Sequence, residues 1–387
     1  MRTWPKFQSL KYYRATLFPT KYFGSYLQRQ HTPIFIYHVL EPVEFEEHLS
    51  YLKDNGYCAI SCEDAVSGKP DPKKVILSFD DGRRSVWTVA YPLLKKYGFK
   101  GVAFVSPGLV KHGDKTPTIE GAFSNEDSID KYRNFELFNW EEAQEMHDSG
   151  VIDLQLHGYA HSRIFLSDEI QAFANPGSKD VDLGVSAWQI KSGDQDSFLT
   201  KLENGQPVYK HGSRWGGGRR YFDDEELRCA CIEYVSAHNS DGKFFENPTW
   251  EDDLRSMVAR YCRDHNCAGV EESRQEQYDN LVYLLSEAKS ILKNKIGKNS
   301  EHFALPWARG DKKLITKVAK QVGVKHIYWA YLDEYFSVSD KDSFVNNHPR
   351  IKDTFLRRLD GKGKQSIIGL FLEEFIKIKK ERSGKPK

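Results

Sequence analysis

The stretch KVILSFDDGRRS, residues 74–85, decides both the fold and the candidate site. Lys74 to Phe79 form a short apolar run typical of a buried β-strand, and Asp80 and Asp81 follow it directly. Parallel sheets and β/α barrels place their active sites at the carboxyl ends of the strands. An Asp-Asp-Gly can also cap the next helix or form a turn, and this segment alone does not separate the two interpretations.

Strand-like and helix-like segments alternate on both sides of this stretch. The predicted strands are residues 33–39, 74–79, 101–105, 152–156, 302–305 and 326–330. The predicted helices, marked by apolar residues at helical spacing, are the segment that ends at Gly56 and residues 86–97, 140–149, 271–296 and 313–322. Such alternation indicates an α/β fold with a parallel sheet or barrel.

The regular alternation is interrupted over about residues 162–270, where polar loops surround a glycine tract and two predicted helices near residues 223–236 and 250–265. We interpret this region as a large, partly helical insertion. The 387 residues fit one barrel with insertions, so we predict a single elaborated domain over residues 32–375. Residues 376–387 form a basic tail, expected to be a solvated end.

Composition excludes several classes of function. The formal net charge is +1, which provides no field for gathering nucleic acid, and 39% hydrophobic with 29% charged residues favours a globular core. The six cysteines contain no CxxC pair, which favours reduced thiols. No stretch reaches the roughly 20 apolar residues needed to span a bilayer, and no signal peptide is evident. We therefore expect a cytoplasmic protein.

Residues 1–31 form an arm that mixes basic and aromatic side chains without one acidic residue. We expect these aromatic side chains to pack on the domain as an N-terminal arm, because Pro5 and Pro19 interrupt any long helix. The alternative is peripheral contact with the anionic inner face of the membrane, which such a mixture of basic and aromatic residues can make. Co-sedimentation with anionic vesicles, before and after deletion of the arm, would separate the two.

A second polar cluster follows the strand at residues 152–156, in LQLHGYAHSR, residues 154–163. The four-residue separation of His157 and His161 puts both imidazoles on one side of a helical turn. Two imidazoles and one carboxylate form an open metal site with positions left for water and substrate. The strand-end acids and these histidines together therefore predict a divalent-metal site.

Three segments, SFDDG (78–82), HGYAH (157–161) and FALPWARGD (303–311), resemble the polysaccharide deacetylase family of metal-dependent carbohydrate esterases. The resemblance extends more loosely to residues 35–57, so it covers about 33–160 and 275–355. It implies a distorted parallel β/α barrel and an N-deacetylase activity. By residue, it implies that Asp80 is the general base and that Asp81, His157 and His161 are the metal ligands.

The resemblance also implies a role for Trp307, whose backbone N–H would donate to the tetrahedral oxyanion. The sequence departs from the better-known branch of the family because Leu305 stands where that branch has an arginine that orients the base, so Arg309 is our candidate for orienting Asp80. The family's late Leu-His acid motif is missing, and His348 and His38 are the candidates for the leaving-group acid. A histidine buried in the barrel floor is the alternative for His38.

We expect Zn²⁺ in this site, although Co²⁺, Ni²⁺ or Fe²⁺ suit the same ligands, and we predict no cofactor other than metal. The predicted reaction removes an N-acetyl group from an amino sugar of a bacterial surface glycan, a lipid-linked intermediate or a nucleotide sugar. Hydrolysis of a small amide or cyclic imide is one alternative, and a catalytically weak scaffold that recruits a protein partner is another.

Two features of the insertion remain open from the sequence. GSRWGGGRR, residues 212–220, can bind phosphate through Arg214, Arg219 and Arg220, or it can be an ordinary surface loop. Aromatic residues of the insertion suit either sugar stacking or ordinary packing, and they are Trp188, Trp215 and Tyr221.

Overall fold

A computed structural model describes residues 32–38, 40–69, 71–119, 136–176, 202–265, 267–308, 310–330, 344–366 and 369. The predicted basic arm and tail, Arg309 and Trp188 lie outside these residues. Within the described residues no helix combines the length and apolar character needed to cross a membrane.

The structure is an α/β barrel with the helices outside the strands. Its strands are β1 Ile34–Tyr37, β2 Cys58–Ala59, β3 Lys74–Phe79, β4 Gly101–Val105, β5 Ile152–Leu156, β6 Arg163–Phe173, β7 Pro207–Ser213, β8 Tyr221–Phe222, β9 Val270–Glu271, β10 His302–Ala304, β11 His326–Ala330 and β12 Asn346–Lys352. Its α-helices are α1 Pro42–Asp54, α2 Cys62–Ser67, α3 Tyr91–Tyr97, α4 Trp140–Asp148, α5 Glu225–His238, α6 Trp250–Asp264, α7 Arg274–Ile296 and α8 Lys312–Val322. A π-helical turn, Val86–Ala90, precedes α3.

Seven parallel strands close the barrel in the order β1, β3, β4, β5, β10, β11 and β12, because β1 pairs with both β3 and β12. The short β2 pairs in parallel with β3 outside this ring. The predicted parallel β/α barrel is therefore confirmed. The predicted strands and helices of the barrel are found within a few residues of their expected bounds.

The two faces of the barrel strands contact different cores. Alternate strand residues such as Leu77, Leu154 and Phe303 pack outward against the helices in the main hydrophobic cluster. The residues between them point inward and form a second cluster, with members such as Phe104 and Tyr328. The barrel interior is therefore filled by side chains, which leaves its carboxyl end as the place for a site.

Local sequence signals explain where several helices begin and end. Helices α2, α4 and α7 each begin with a capping box, in which the first side chain and the third helical residue satisfy each other's backbone N–H groups. Gly98, Gly297 and Gly323 end α3, α7 and α8 in the left-handed conformation, which glycine adopts without a Cβ clash.

The insertion contains more β-structure than its sequence indicates. The helices predicted near residues 223–236 and 250–265 are present as α5 and α6. The antiparallel pair β6 and β7, with two register shifts, was not predicted. Irregular pairing disrupts the strict alternation on which strand prediction depends, so these strands resemble polar loop in sequence.

A buried ion pair ties the insertion to the start of α7. The side chains of Arg214 and Glu272 are 1% and 4% exposed, and Arg214 Nη2 donates to Glu272 Oε2 over 3.0 Å. The same guanidinium donates through Nε to Asn280 of α7, also over 3.0 Å. Because Arg214 is buried and paired in this way, it is not available to bind phosphate, which was one of the two interpretations of this segment.

Replacing Glu272 with glutamine should lower the free energy of unfolding by about 3–5 kcal/mol, because it leaves a buried guanidinium without its counter-charge. Urea unfolding followed by circular dichroism would measure the change. The neighbouring Glu271→Gln is the matched control, since the pair of Glu271 with Arg219 is about 40% exposed on both sides and such pairs contribute about 1 kcal/mol or less. Equal effects of the two substitutions would contradict the prediction.

Ordinary packing explains two of the aromatic residues in the insertion. Trp215 is 2% exposed and its ring lies 4.9 Å from that of Phe303 on β10. Tyr221 is 7% exposed and contacts the ring of Tyr209. Both rings are therefore too buried for the sugar stacking that their sequence positions allowed.

The expectation of six reduced thiols is wrong for one pair. Cys262, in α6, is joined to Cys267 by a disulfide, with the Cα atoms 5.3 Å apart. The two cysteines are five positions apart in the sequence, and α6 ends at Asp264, between them. The other cysteines are free.

Candidate active site

The predicted site residues converge at the carboxyl ends of neighbouring barrel strands. Asp80 and Asp81 follow β3, His157 and His161 follow β5, and Trp307 follows β10. In the closed barrel β4 lies between β3 and β5, and β10 lies beside β5. The helix-capping interpretation of the Asp-Asp pair is unnecessary, because both carboxylates are buried and point to other site residues.

The backbone is strained at this end of the barrel. Among the described residues, the non-glycine residues with positive φ are Asp81 at 70°, His161 at 24° and Trp307 at 60°. The left-handed region is costly for residues with a Cβ and persists where the surrounding structure fixes it. Its restriction to three predicted site residues is what a functional site would show.

Asp81, His157 and His161 form a compact, buried group. Each offers one ligand atom, and these atoms all lie within 4.8 Å of one another. Both Nε2 atoms lie 3.4 Å from Asp81 Oδ1. That oxygen is buried and has no hydrogen-bond partner.

These residues fit a divalent cation. A buried carboxylate oxygen without a partner is costly unless an ion or water completes it. His157 Nδ1 lies 3.0 Å from the carbonyl oxygen of Ala304, so donation to that carbonyl leaves the Nε2 lone pair facing Asp81. Burial lowers the pKa of His161 to about 3, which keeps this imidazole neutral as a metal ligand must be. The described residues therefore hold a group that could bind a metal.

Asp80 is held by an arginine that the sequence did not identify. Arg350, on β12, donates from Nη1 and Nη2 to the two carboxylate oxygens of Asp80 at 2.5 and 2.9 Å. The Arg350 side chain is 0% exposed and the Asp80 side chain 3%. Such a paired contact fixes the plane of the carboxylate as well as its position. Arg350 therefore orients Asp80. Arg309, the candidate from the sequence, lies outside the described residues, and its role stays a prediction.

Both aspartates are ionised despite their burial. Burial alone would raise the pKa of Asp80, but the positive charge of Arg350 and its hydrogen bonds lower it below its usual range. Burial would also raise the pKa of Asp81, but the nearby side chains of His157 and His161 lower it well below normal. The site thus presents two carboxylates with different partners.

Trp307 is fixed between two side chains at the rim of the site. Its ring centroid lies 4.6 Å from that of His161 and 4.1 Å from the guanidinium carbon of Arg163, the first residue of β6. A guanidinium over an indole face is a favourable cation–π contact. The Trp307 ring therefore lies beside a candidate metal ligand, and its other contact, Arg163, comes from the insertion.

Gly158, within the HGYAH motif, is required by its surroundings. Its φ is +76°, and a Cβ at this position would lie 3.1 Å from Nε1 of Trp215. A larger residue would both strain the backbone and push against the buried indole. The loop that carries His157 and His161 is thus fitted to the insertion.

The two candidates for the leaving-group acid are in different places. His38 is exposed at the carboxyl end of β1, and its charge contributes to lowering the pKa of Asp81. The alternative of a histidine buried in the barrel floor is therefore wrong. His348 lies opposite Tyr328, one layer deeper than Arg350, with its Nε2 3.0 Å from Nδ1 of His326. The structure brings His38, and not His348, to this end of the barrel.

Comparison with known proteins finds a family model that matches the part of the chain that carries the candidate site. Residues 67–186, which include Asp80, Asp81, His157 and His161, match the family model described as polysaccharide deacetylase. Over these residues, about a third of the chain, the protein is similar to polysaccharide deacetylases. This confirms the resemblance drawn from the sequence motifs.

Two curated relatives agree with this polysaccharide deacetylase assignment. YxkH of Bacillus subtilis (strain 168), provisionally named a polysaccharide deacetylase, is 36% identical over 93 residues, which cover 21% of this chain and 33% of YxkH. The poly-β-1,6-N-acetyl-D-glucosamine N-deacetylase of Escherichia coli (strain K12) is 31% identical over 117 residues, which cover 29% of this chain and 16% of that protein. The chain thus matches a third or less of each relative's length.

Solved structures of deacetylases are also similar in shape. A de-N-acetylase from Aggregatibacter actinomycetemcomitans has a TM-score of 0.45 and 16% identity, over 83% of this chain and 94% of that one. The BpsB deacetylase domain from Bordetella bronchiseptica has a TM-score of 0.45 and 12% identity, over 83% and 95%. Similarity at this level carries no information about substrate.

Proposed function

We propose that this protein is a metal-dependent N-deacetylase that hydrolyses the acetamido group of an amino sugar in a bacterial glycan or a glycan precursor. The observation that carries the proposal is the placement of an oriented, ionised carboxylate, Asp80, beside a buried group that fits a metal. The Asp80 and His157 side chains approach to 4.0 Å. Amide hydrolysis needs both a base and an electrophilic centre, and these two features supply them.

Asp81, His157 and His161 would hold the metal. Zn²⁺ is our proposal, and Co²⁺, Ni²⁺ or Fe²⁺ suit the same two imidazoles and one carboxylate. When bound, the metal supplies Lewis-acid activation of water and of the amide carbonyl. The match to the family model and the buried Oδ1 of Asp81, which has no hydrogen-bond partner, support this assignment.

Asp80 takes a proton from the attacking water as the new bond to the amide carbon forms. The two hydrogen bonds from Arg350 prevent the Asp80 carboxylate from rotating, so the oxygen that accepts the proton is already in place when the substrate binds. The C–N bond then breaks, and the amine leaves with a proton while acetate is released. His38 is our candidate for donating that proton, because it is exposed at the same end of the barrel.

The tetrahedral oxyanion that precedes bond cleavage needs hydrogen-bond donors. The backbone N–H of Trp307 is our candidate, as the family resemblance implies. The Trp307 ring packs between His161 and Arg163, and this packing restrains the turn that carries the N–H, which supports the proposed role.

The proposal predicts that the zinc-loaded protein releases acetate from at least one N-acetylated sugar. A suitable panel contains oligomers of β-1,6-linked N-acetylglucosamine, for which the Escherichia coli relative is named, together with chitin oligosaccharides, UDP-N-acetylglucosamine and a lipid-linked N-acetylglucosamine. Acetate would be measured enzymatically, and new amines would be measured by fluorescent labelling.

The same panel separates the other hypotheses. Fully deacetylated oligomers provide the background, and a small amide and a cyclic imide are included as competing substrates. Turnover of the imide without acetate release from any sugar would replace our proposal with the small-amide activity. A metal-loaded protein that is silent on every substrate would instead favour the scaffold.

A further inference from the structure

A second buried arginine contacts the candidate metal ligand itself. Arg83 donates from Nε and Nη2 to Asp81 Oδ2, at 3.0 and 2.7 Å. The side chains are 3% and 4% exposed, so solvent screens this pair little. The contact leaves Oδ1, the oxygen without a partner, facing the two histidines.

This arrangement gives each carboxylate of the Asp-Asp pair its own guanidinium. Asp80 is paired with Arg350, and Asp81 is paired with Arg83. The group formed by Asp81, His157 and His161 therefore has its negative charge balanced before any cation arrives. A divalent cation bound at Oδ1 of Asp81 and the guanidinium of Arg83 at Oδ2 would share the same carboxyl group.

Two effects of Arg83 on metal binding have opposite signs. Its fork of two hydrogen bonds holds the carboxylate of Asp81 in one orientation, which favours binding through preorganisation. Its positive charge repels the cation across a short, buried path, which disfavours binding. Asp81 is also restrained by its neighbours, because only Asp80 separates it from the end of β3 and the next residue, Gly82, lies against Val105. The orientation of the Asp81 carboxylate thus depends on several contacts, whereas the positive charge that repels the cation comes from Arg83.

We propose that Arg83 sets the metal affinity of this site, weakening it by balancing the charge of Asp81 and keeping the metal-free site intact. This inference rests on the metal site of the proposed function. The expected consequence is a metal that exchanges readily and a metal-free protein that stays folded, because the buried carboxylate has a partner in both states.

The test is a metal titration of the metal-free protein, without substrate. Zn²⁺ affinity would be measured by competition with a chromophoric chelator for the wild type, Arg83→Gln and Arg83→Lys. We expect Arg83→Gln to bind Zn²⁺ about tenfold more tightly, which corresponds to about 1.4 kcal/mol. Its metal-free form should melt at a lower temperature than wild type, so that the stabilisation by Zn²⁺ becomes larger.

Arg83→Lys separates charge from geometry, because lysine keeps the positive charge but cannot form the planar fork. We expect its Zn²⁺ affinity to stay near that of the wild type. Arg84→Gln is the matched control: Arg84 is the next residue, its side chain is 31% exposed, and it pairs with Glu136. This variant should also bind Zn²⁺ like the wild type.

Unchanged or weaker Zn²⁺ binding by Arg83→Gln would overturn the inference, as would a large loss of affinity in Arg83→Lys. If Arg83→Gln does not fold, the lysine variant decides alone, since an orienting role predicts weaker binding and a charge role does not. A wild type that binds no Zn²⁺ would overturn it as well. A wild type that binds Zn²⁺ but releases no acetate would defeat the proposed function and leave this inference standing.

Discussion

Asp81→Ala and His157→Ala are each expected to remove the bound metal and the deacetylase activity together. Each substitution takes away one of three ligand atoms from a buried group, and the two that remain do not complete a tetrahedral site. The metal is expected to lower the barrier by several kcal/mol, so activity should fall by about 10³-fold or more. Elemental analysis of the purified proteins and acetate release on the substrate panel would measure both effects.

Two exposed residues provide matched controls for these substitutions. His112 pairs with Glu141 on the surface, and Asp71 is exposed before β3. His112→Ala and Asp71→Ala should keep full metal content and activity. Metal that persists at wild-type stoichiometry in both Asp81→Ala and His157→Ala would show that the ligand assignment is wrong.

Asp80→Asn is expected to keep the metal and lose the activity. Asp80 is not among the three residues that could hold the cation, so metal content should not change. Asparagine cannot accept the proton from water, and loss of a general base costs about 10²–10⁴-fold in rate. The measurement is kcat on the best substrate, with metal content determined on the same sample.

The role of Arg350 can be read in the same experiment. Arg350→Lys keeps a positive charge beside Asp80 but removes the two-point contact, so kcat should fall while KM and metal content change little. A structural role alone would lower the melting temperature without this split between kcat and KM. An Asp80→Asn protein with wild-type kcat would rule out Asp80 as the base.

The barrel and the centre of the site could be predicted from the sequence because their signals are local. Strands such as β3 and β5 are continuous apolar runs, and the polar clusters that follow them are contiguous in the chain. Once the strands are parallel, their carboxyl ends must meet. The convergence of Asp81, His157 and His161 then follows from topology.

Arg350 could not be predicted in the same way. It lies 270 residues from Asp80, and the two meet only because β12 closes the barrel beside β1. The available signal was weak: an arginine in NNHPRIK, the β12 segment, where a buried charge would need a partner. Arg83 was close in sequence to Asp81, but nothing in DDGRR distinguishes its buried side chain from the partly exposed side chain of Arg84.

The insertion has both of its connections next to the site. Its first strand begins at Arg163, two residues after His161, and α7 leads from its end towards β10 and Trp307. The indole of Trp215 also fits against Gly158 inside the metal-ligand loop. Because the insertion contacts the candidate site and also packs on the barrel through Trp215, changes at its exposed residues, and not at these contacts, would alter which molecules reach the proposed metal site without destabilising the fold. Substrate preference could therefore change through those exposed residues while the proposed catalytic residues stay the same.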